Sequence, residues 1–195
     1  ANYNFQGSIS GPLLADNLTY FLTMRRFNDG GYIYGINKYN SEGRSKFVNG
    51  EFVENPGDNS YVSMNSNDRW SGQTTIDWRI SKDFNLKVDA FGSLESAKNY
   101  NHIYRLNPNG AKGNEIKGYS IFSTLTNVLY LNTFQSLTLA YKYNDFTSNL
   151  YDDPYDPRYV HPDSLNISGF HFYTAGTDLN RFQRNTESMI LKWDL

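Results

Sequence analysis

The chain has 195 residues, enough for one domain with a core, and its 18 Lys plus Arg nearly balance 20 Asp plus Glu. That net charge of −2 carries no polyanion-binding signature, so no nucleic-acid partner is expected. With no cysteine, a disulfide framework, a thiolate nucleophile and a zinc knuckle are excluded too.

Aromatics are the excess: 16 Tyr and 13 Phe, a composition suited to binding surfaces and to the belts where a membrane meets water. No stretch approaches the roughly 20 apolar residues of a membrane helix. The opening "ANYNFQGSIS" also lacks the charged and apolar regions of a signal peptide. A low mean hydropathy argues only against helical spans, because a barrel strand shows lipid just its alternate residues.

A two-residue period runs through the sequence, and it predicts strands. The first alternates Tyr3, Phe5, Gly7 and Ile9 with Asn4, Gln6, Ser8 and Ser10. A Gly-Pro connection leads to the second, Leu18, Tyr20, Leu22 and Met24 against Thr19, Phe21, Thr23 and Arg25. The cleanest sets Trp70, Gly72, Thr74, Ile76, Trp78 and Ile80 against Ser71, Gln73, Thr75, Asp77, Arg79 and Ser81. After the link "SKD" comes Phe84, Leu86, Val88, Ala90, Gly92 and Leu94 against Asn85, Lys87, Asp89, Phe91, Ser93 and Glu95. A fifth, weaker strand starts at about Gly118 and carries Ile121, Ser123, Leu125 and Asn127. The sixth returns with Leu137, Leu139, Tyr141 and Tyr143 opposite Ser136, Thr138, Ala140, Lys142 and Asn144. The last alternates Met189, Leu191, Trp193 and Leu195 with Ile190, Lys192 and Asp194, and no segment predicts a helix.

Short links at about 11–17, 81–83 and 130–135 alternate with long polar segments at about 28–69, 96–117 and 147–186. In an up-and-down sheet every short link falls at one end. Loops beyond about 15 residues are uncommon in compact domains, whereas outer-membrane barrels pair tight periplasmic turns with long external loops. The expected fold is therefore all-β: an antiparallel up-and-down transmembrane β-barrel segment, about seven strands of a larger barrel, with residues 1–195 forming one partial barrel domain. Because single-chain barrels have even strand counts from about 8 upwards, seven strands predict that others are missing. The terminal Leu195, where a barrel commonly has an aromatic residue, points the same way.

Alternation alone suits a soluble β-sandwich equally well, so strand length and loop asymmetry decide. On the barrel reading Leu22, Ile76, Trp78, Leu86, Val88, Leu137 and Leu139 face lipid. Arg25, Asp77, Arg79, Lys87, Asp89, Glu95 and Lys142 face the lumen, where cross-strand charge pairing is the simplest account of them. Tyr20, Trp78, Phe84, Phe134 and Trp193 near the short links, with Trp70, Tyr141 and Tyr143 near the long loops, supply two aromatic girdles.

"YDDPYDPRYVHPD" gathers Asp152, Asp153, Asp156 and Asp163, oxygens that calcium would accept, but the spacing is not that of an EF-hand and the prolines predict a series of turns. No metal site is expected. Tyr32, Tyr34, Tyr39, Phe47 and Phe52 in the first long loop, with Tyr155 and Tyr159 in the third, are candidates to stack on a ligand; packing of loop on loop explains them as well. His102, His161 and His171 have no ligand spacing. Neither Gly-x-Ser-x-Gly nor His-Glu-x-x-His occurs, so no enzyme and no cofactor are expected.

The runs "GSISGPLLADNLTYFLTMRRFNDGGYIYG", "YVSMNSNDRWSGQTTIDWRIS" and "YDDPYDPRYVHPDSLNISGFHFYTAGTD" resemble the early barrel of TonB-dependent outer-membrane receptors of the Bacteroidota type. The resemblance spans nearly the whole chain. It implies a barrel of about 22 strands around a plug that this sequence does not contain. It further implies location in the bacterial outer membrane and import of a scarce or bulky nutrient of the siderophore, glycan or peptide class. The partners implied are outer-membrane lipid, TonB acting through the missing plug, the nutrient, and a surface lipoprotein as a further candidate. Two alternatives stay open: a smaller structural or adhesive outer-membrane barrel, and a secreted carbohydrate-binding β-sandwich.

Overall fold

The computed structural model describes residues 2–13, 16–43, 46–49, 51–53, 56–130, 133–161 and 171–195, with backbone alone at 46–48 and 51–53. Seven strands build one antiparallel sheet: β1 (Tyr3–Pro12), β2 (Leu18–Asp29), β7 (Asn67–Arg79), β8 (Phe84–Ala97), β9 (Gly113–Tyr130), β10 (Thr133–Asn149) and β11 (Phe182–Asp194). They lie side by side in chain order, an up-and-down meander. The first long connection adds two short ribbons. In these, β3 (Tyr34–Ile36) pairs with β6 (Tyr61–Ser63), and β4 (Lys46–Val48) pairs with β5 (Glu51–Val53).

The register places every predicted outward residue on one face. One row across the sheet reads Tyr20, Ile76, Val88, Ser123, Leu139 and Leu191, starting at Gly11 on β1. One step towards the short links it reads Leu18, Trp78, Leu86, Leu125, Leu137 and Trp193. One step towards the long loops it reads Ile9, Leu22, Thr74, Ala90, Ile121, Tyr141 and Met189. These three rows contain no charged side chain. A further step brings a row with little bulk, Gly7, Met24, Gly72, Gly92, Tyr119 and Tyr143, ending at Glu187.

On the other face the matching rows carry Asp77 opposite Lys87, then Thr75 opposite Asp89, and Gln73 opposite Phe91. Arg25, Arg79, Glu95 and Lys142 share that face by the same alternation, so the predicted lipid-facing and lumen-facing sets fall on opposite sides of the sheet. Some of the charges there pair, though not always across the ladder. Arg69 reaches Glu95 on the next strand at 3.8 Å, whereas Lys87 turns to Asp89 on its own strand at 3.4 Å instead of to Asp77. Thr75 donates to Asp89 at 2.6 Å. Phe91 and Phe122 meet edge-on within this otherwise polar face, and Phe21 lies in the same row as Phe122 beyond Thr75 and Asp89.

Among the described residues nothing covers the apolar face. Strands of the sheet contact their sheet neighbours, and no second layer stacks on them. Ile9, Ile76, Trp78, Leu137, Leu139 and Leu191 all remain exposed. The water-excluding core lies elsewhere, at the long-loop end, where Met64, Tyr104 and Ala111 pack with Tyr173.

Candidate functional site

The described residues of the long connections, within 30–66, 98–112 and 150–181, fold together into a cap over one end of the sheet. The middle one is the hub. It winds through two 3-10 turns, His102–Tyr104, capped by the Asn101 side chain, and Pro108–Gly110, where Pro sits at the first position as a missing N–H allows. Its carbonyls then serve both neighbours. Arg105 accepts from the Ile36 N–H at 2.9 Å and Leu106 from Lys38 and Tyr39, each at 3.2 Å. On the other side Ile103 accepts from Tyr173 at 2.9 Å and Gly110 from Asp178 at 2.8 Å.

Asn107 is the keystone. It is fully buried, and its Nδ2 donates 2.7 Å to the Gly176 carbonyl, joining the second and third connections. Gly176 holds φ of 88° and donates its own N–H to Ser41 of the first connection at 3.0 Å. A left-handed residue bonded on both sides is what glycine provides at least cost. Burial pushes the Tyr104 phenol up, with Asp178 adding to the shift, and its ring meets Tyr173 edge-on at 4.9 Å between centroids.

The third connection carries its own lock. Arg181 donates to the carbonyls of Tyr151 and Asp152 at 2.6 and 2.7 Å and to the Tyr159 hydroxyl at 2.8 Å. The Arg158 guanidinium grips both oxygens of Asp156 at 2.9 and 2.7 Å and lies 3.9 Å over the Tyr151 ring. Asp153 closes a turn onto the Tyr155 N–H at 2.8 Å. Asp153 and Asp156 are thus spent on shape. Among the described residues no cluster of three His, Asp or Glu could hold a metal, and Asp163 lies outside them.

Two carboxylates in the cap are held at about 2, Asp156 by Arg158 and Asp58 by the Ser60 hydroxyl and N–H together with Asn37. A depressed folded-state pKa contributes stability that is complete above the ordinary value near 3.8 and fades as pH falls towards 2. The near-ultraviolet circular dichroism of Tyr151 and Tyr159 should therefore weaken between pH 4 and pH 2. Asp156→Asn should give the weakened signal already at neutral pH and stay flat across that window.

Of the aromatics predicted to stack on a ligand, Tyr32 and Tyr155 are freely accessible, at 82% and 90% exposure, and Tyr34 is exposed at 48%. Tyr39 is 4% exposed and offers no open ring surface. Tyr159 is half-buried, with its hydroxyl donating to the Tyr151 carbonyl at 2.9 Å. The side chains of Phe47 and Phe52 lie outside the described residues.

The residue that sequence reasoning missed is Tyr61, 74% exposed. On the β3–β6 ribbon it stands opposite Ile36, on the same side as Tyr34, while Gly35 turns inward. A Cβ at Gly35 would lie 2.7 Å from both the Arg105 carbonyl and the Met64 sulfur, so the ribbon sits tight on the hub.

Polar clefts open between the connections. One of about 550 Å³ is lined by Lys98, Asn114, Asn149, Tyr151, Asp152 and Arg158. Another of about 420 Å³ holds Tyr100 and His102, hydrogen-bonded to each other, beside Lys112 and Asp178. Rings, amides and paired charges of this kind bind by stacking and hydrogen bonding. Compared with known protein families, curated proteins and solved structures, the chain matches none.

Proposed function

We propose that this chain is a wall of a transmembrane β-barrel in a bacterial outer membrane. One observation carries the reading: three consecutive rows without a charge run across the sheet on a face that no other described element covers. With strands about 4.8 Å apart and row steps of about 6.6 Å, that band covers roughly 600 Å², at the upper end of what a soluble monomer exposes. Extended by the uncharged row of Phe84, Asn127 and Gln135 towards the short links and by the glycine and aromatic row as far as Glu187, it spans about ten residues of strand. That is about 33 Å, or about 25 Å at a barrel strand's usual tilt, the height of an outer-membrane apolar band. A β-sandwich would need a second sheet over this face.

Within that class, the chain is best read as part of a TonB-dependent nutrient receptor. The cap supports this: hydrogen bonds join the described parts of the three connections, which carry exposed tyrosines and polar clefts, and that suits capture of a bulky solute above a lumen. The receptor would import a siderophore, glycan or peptide and take its energy from TonB through a plug.

The test uses the full-length protein that carries this chain. It should fractionate with outer membranes, and uptake of its ligand should stop when a protonophore collapses the proton gradient. Replacing Tyr32, Tyr34 and Tyr61 together by Ala should cut ligand affinity at least tenfold and leave membrane assembly intact. Assembly without energised uptake would favour the structural or adhesive barrel, and a protein soluble without detergent would sink both.

A further inference from the structure

Arg26 is a cation on the apolar side of the sheet. It stands in the row that begins at Phe5 and continues through Trp70 and Leu94 to Lys117 and Asp145, one step beyond the glycine row, where the uncharged band gives way to charge. Its guanidinium lies 4.6 Å from the centre of the Trp70 ring and 5.4 Å from that of Tyr3. Nη2 donates to Asp68 at 3.0 Å, and Asn28 donates to the same carboxylate oxygen at 3.1 Å. The side chain is 36% exposed.

Beside it opens a cleft of about 580 Å³ lined mainly by Tyr3, Phe5, Gly7, Met24, Arg26 and Trp70, with Arg25 of the opposite face also on its wall, and no carboxylate lines it. A Cβ at Gly7 would meet nothing within 4 Å, so the glycine keeps the floor open. Phe5, Met24 and Trp70 leave their apolar surfaces exposed towards the cleft's rim, at 68%, 55% and 44%.

We propose that this cleft binds the phosphate of a membrane lipid headgroup, with Arg26 as the anion contact and Phe5, Met24 and Trp70 against the start of the acyl chains. The inference rests on the barrel reading, which puts this face in lipid and this row at the interface. Three features commit it to a lipid. An arginine with unspent N–H groups suits a phosphate oxygen, and aromatic rings on both sides hold the guanidinium in place. The apolar floor directly below continues into the uncharged band, so one molecule can satisfy both parts. A free phosphate would use only the first. Asp68 competes for the same guanidinium and sets the strength of the site.

The experiment takes the full-length protein in a nonionic detergent and measures binding of phosphatidic acid in mixed micelles by the change in tryptophan emission and by native mass spectrometry. Phosphatidic acid should bind saturably and at least fivefold more tightly than phosphatidylcholine. Arg26→Gln should abolish that preference, and Arg26→Lys should keep part of it. Asp68→Asn, which releases Arg26, should tighten binding at least twofold; a purely structural ion pair would give no such gain. Equal retention of the two lipids, an undiminished preference in Arg26→Gln, or displacement by millimolar inorganic phosphate would each overturn the proposal. A protein that inserts into membranes and shows no preference defeats this inference alone, whereas one that needs no detergent defeats the barrel reading first.

Discussion

Arginine at Ile76 should cost about 2–4 kcal/mol of folding free energy in a bilayer, the expected penalty for a charge at the middle of a barrel's lipid face. Ile76 sits in the central row between Tyr20 and Val88, with uncharged rows on either side, so a guanidinium there finds no acid to pair with. Thr75→Arg is the internal control. It is one residue away and points to the opposite face, beside Asp89, to which Thr75 already donates. That variant should lose the 2.6 Å hydrogen bond and gain a charge partner, a near-even exchange. Urea unfolding of the full-length protein in vesicles, with heat-modifiable mobility as a second readout, would compare the two. Equal losses at both positions would refute the assignment of the faces.

Alanine at Gly110 should open the cap and leave the sheet intact. The added methyl would collide with the Gly176 carbonyl and come within 2.8 Å of Asn107 Nδ2, so it strikes both partners of the buried keystone bond at once. Backbone cannot yield as a flexible side chain does, and overpacking of this kind costs about 1–3 kcal/mol. Because the cap's core of Met64, Tyr104 and Ala111 lies apart from the strands, that cost falls on the loops. Hydrogen exchange should accelerate at the N–H groups of Ile36, Tyr173 and Asp178, which bond to the hub, with the N–H groups of β8 and β9 unchanged. Uniform acceleration would show that cap and sheet unfold as one body.

The sheet was legible because a half-buried strand writes its two faces into alternate letters. The clean strands were those whose outward positions are nearly all apolar, as in β8 from Phe84 to Leu94. The serine and asparagine at Ser123 and Asn127 blurred β9, which begins at Gly113, ahead of the expected Gly118. β11 shows the larger shortfall: it starts at Phe182, well before Met189, because Gln183, Asn185 and Glu187 leave its outward face polar. Main-chain bonds to β10 hold that stretch, and such bonds leave no trace in side-chain pattern.

The cap was illegible for the same reason. Asn107 and Gly176 act through backbone geometry and one amide, with no period to betray them. An aromatic residue in a loop also reads alike whether it covers or is covered, and only the coordinates separate open Tyr32 from enclosed Tyr39. The prolines and acids at 152–157 did announce turns, and the contacts of Asp153 and Asp156 agree.

The meander also dictates an order of assembly. Each long strand finds its partner next along the chain, so hairpins can be added one after another with little search. The costly closure is the one between β2 and β7, since loop entropy rises with the logarithm of the intervening length. The ribbons β3–β6 and β4–β5 zip that connection from within and shorten the span that must be closed. A chaperone receiving this chain would thus meet a growing, ready-made edge at every stage.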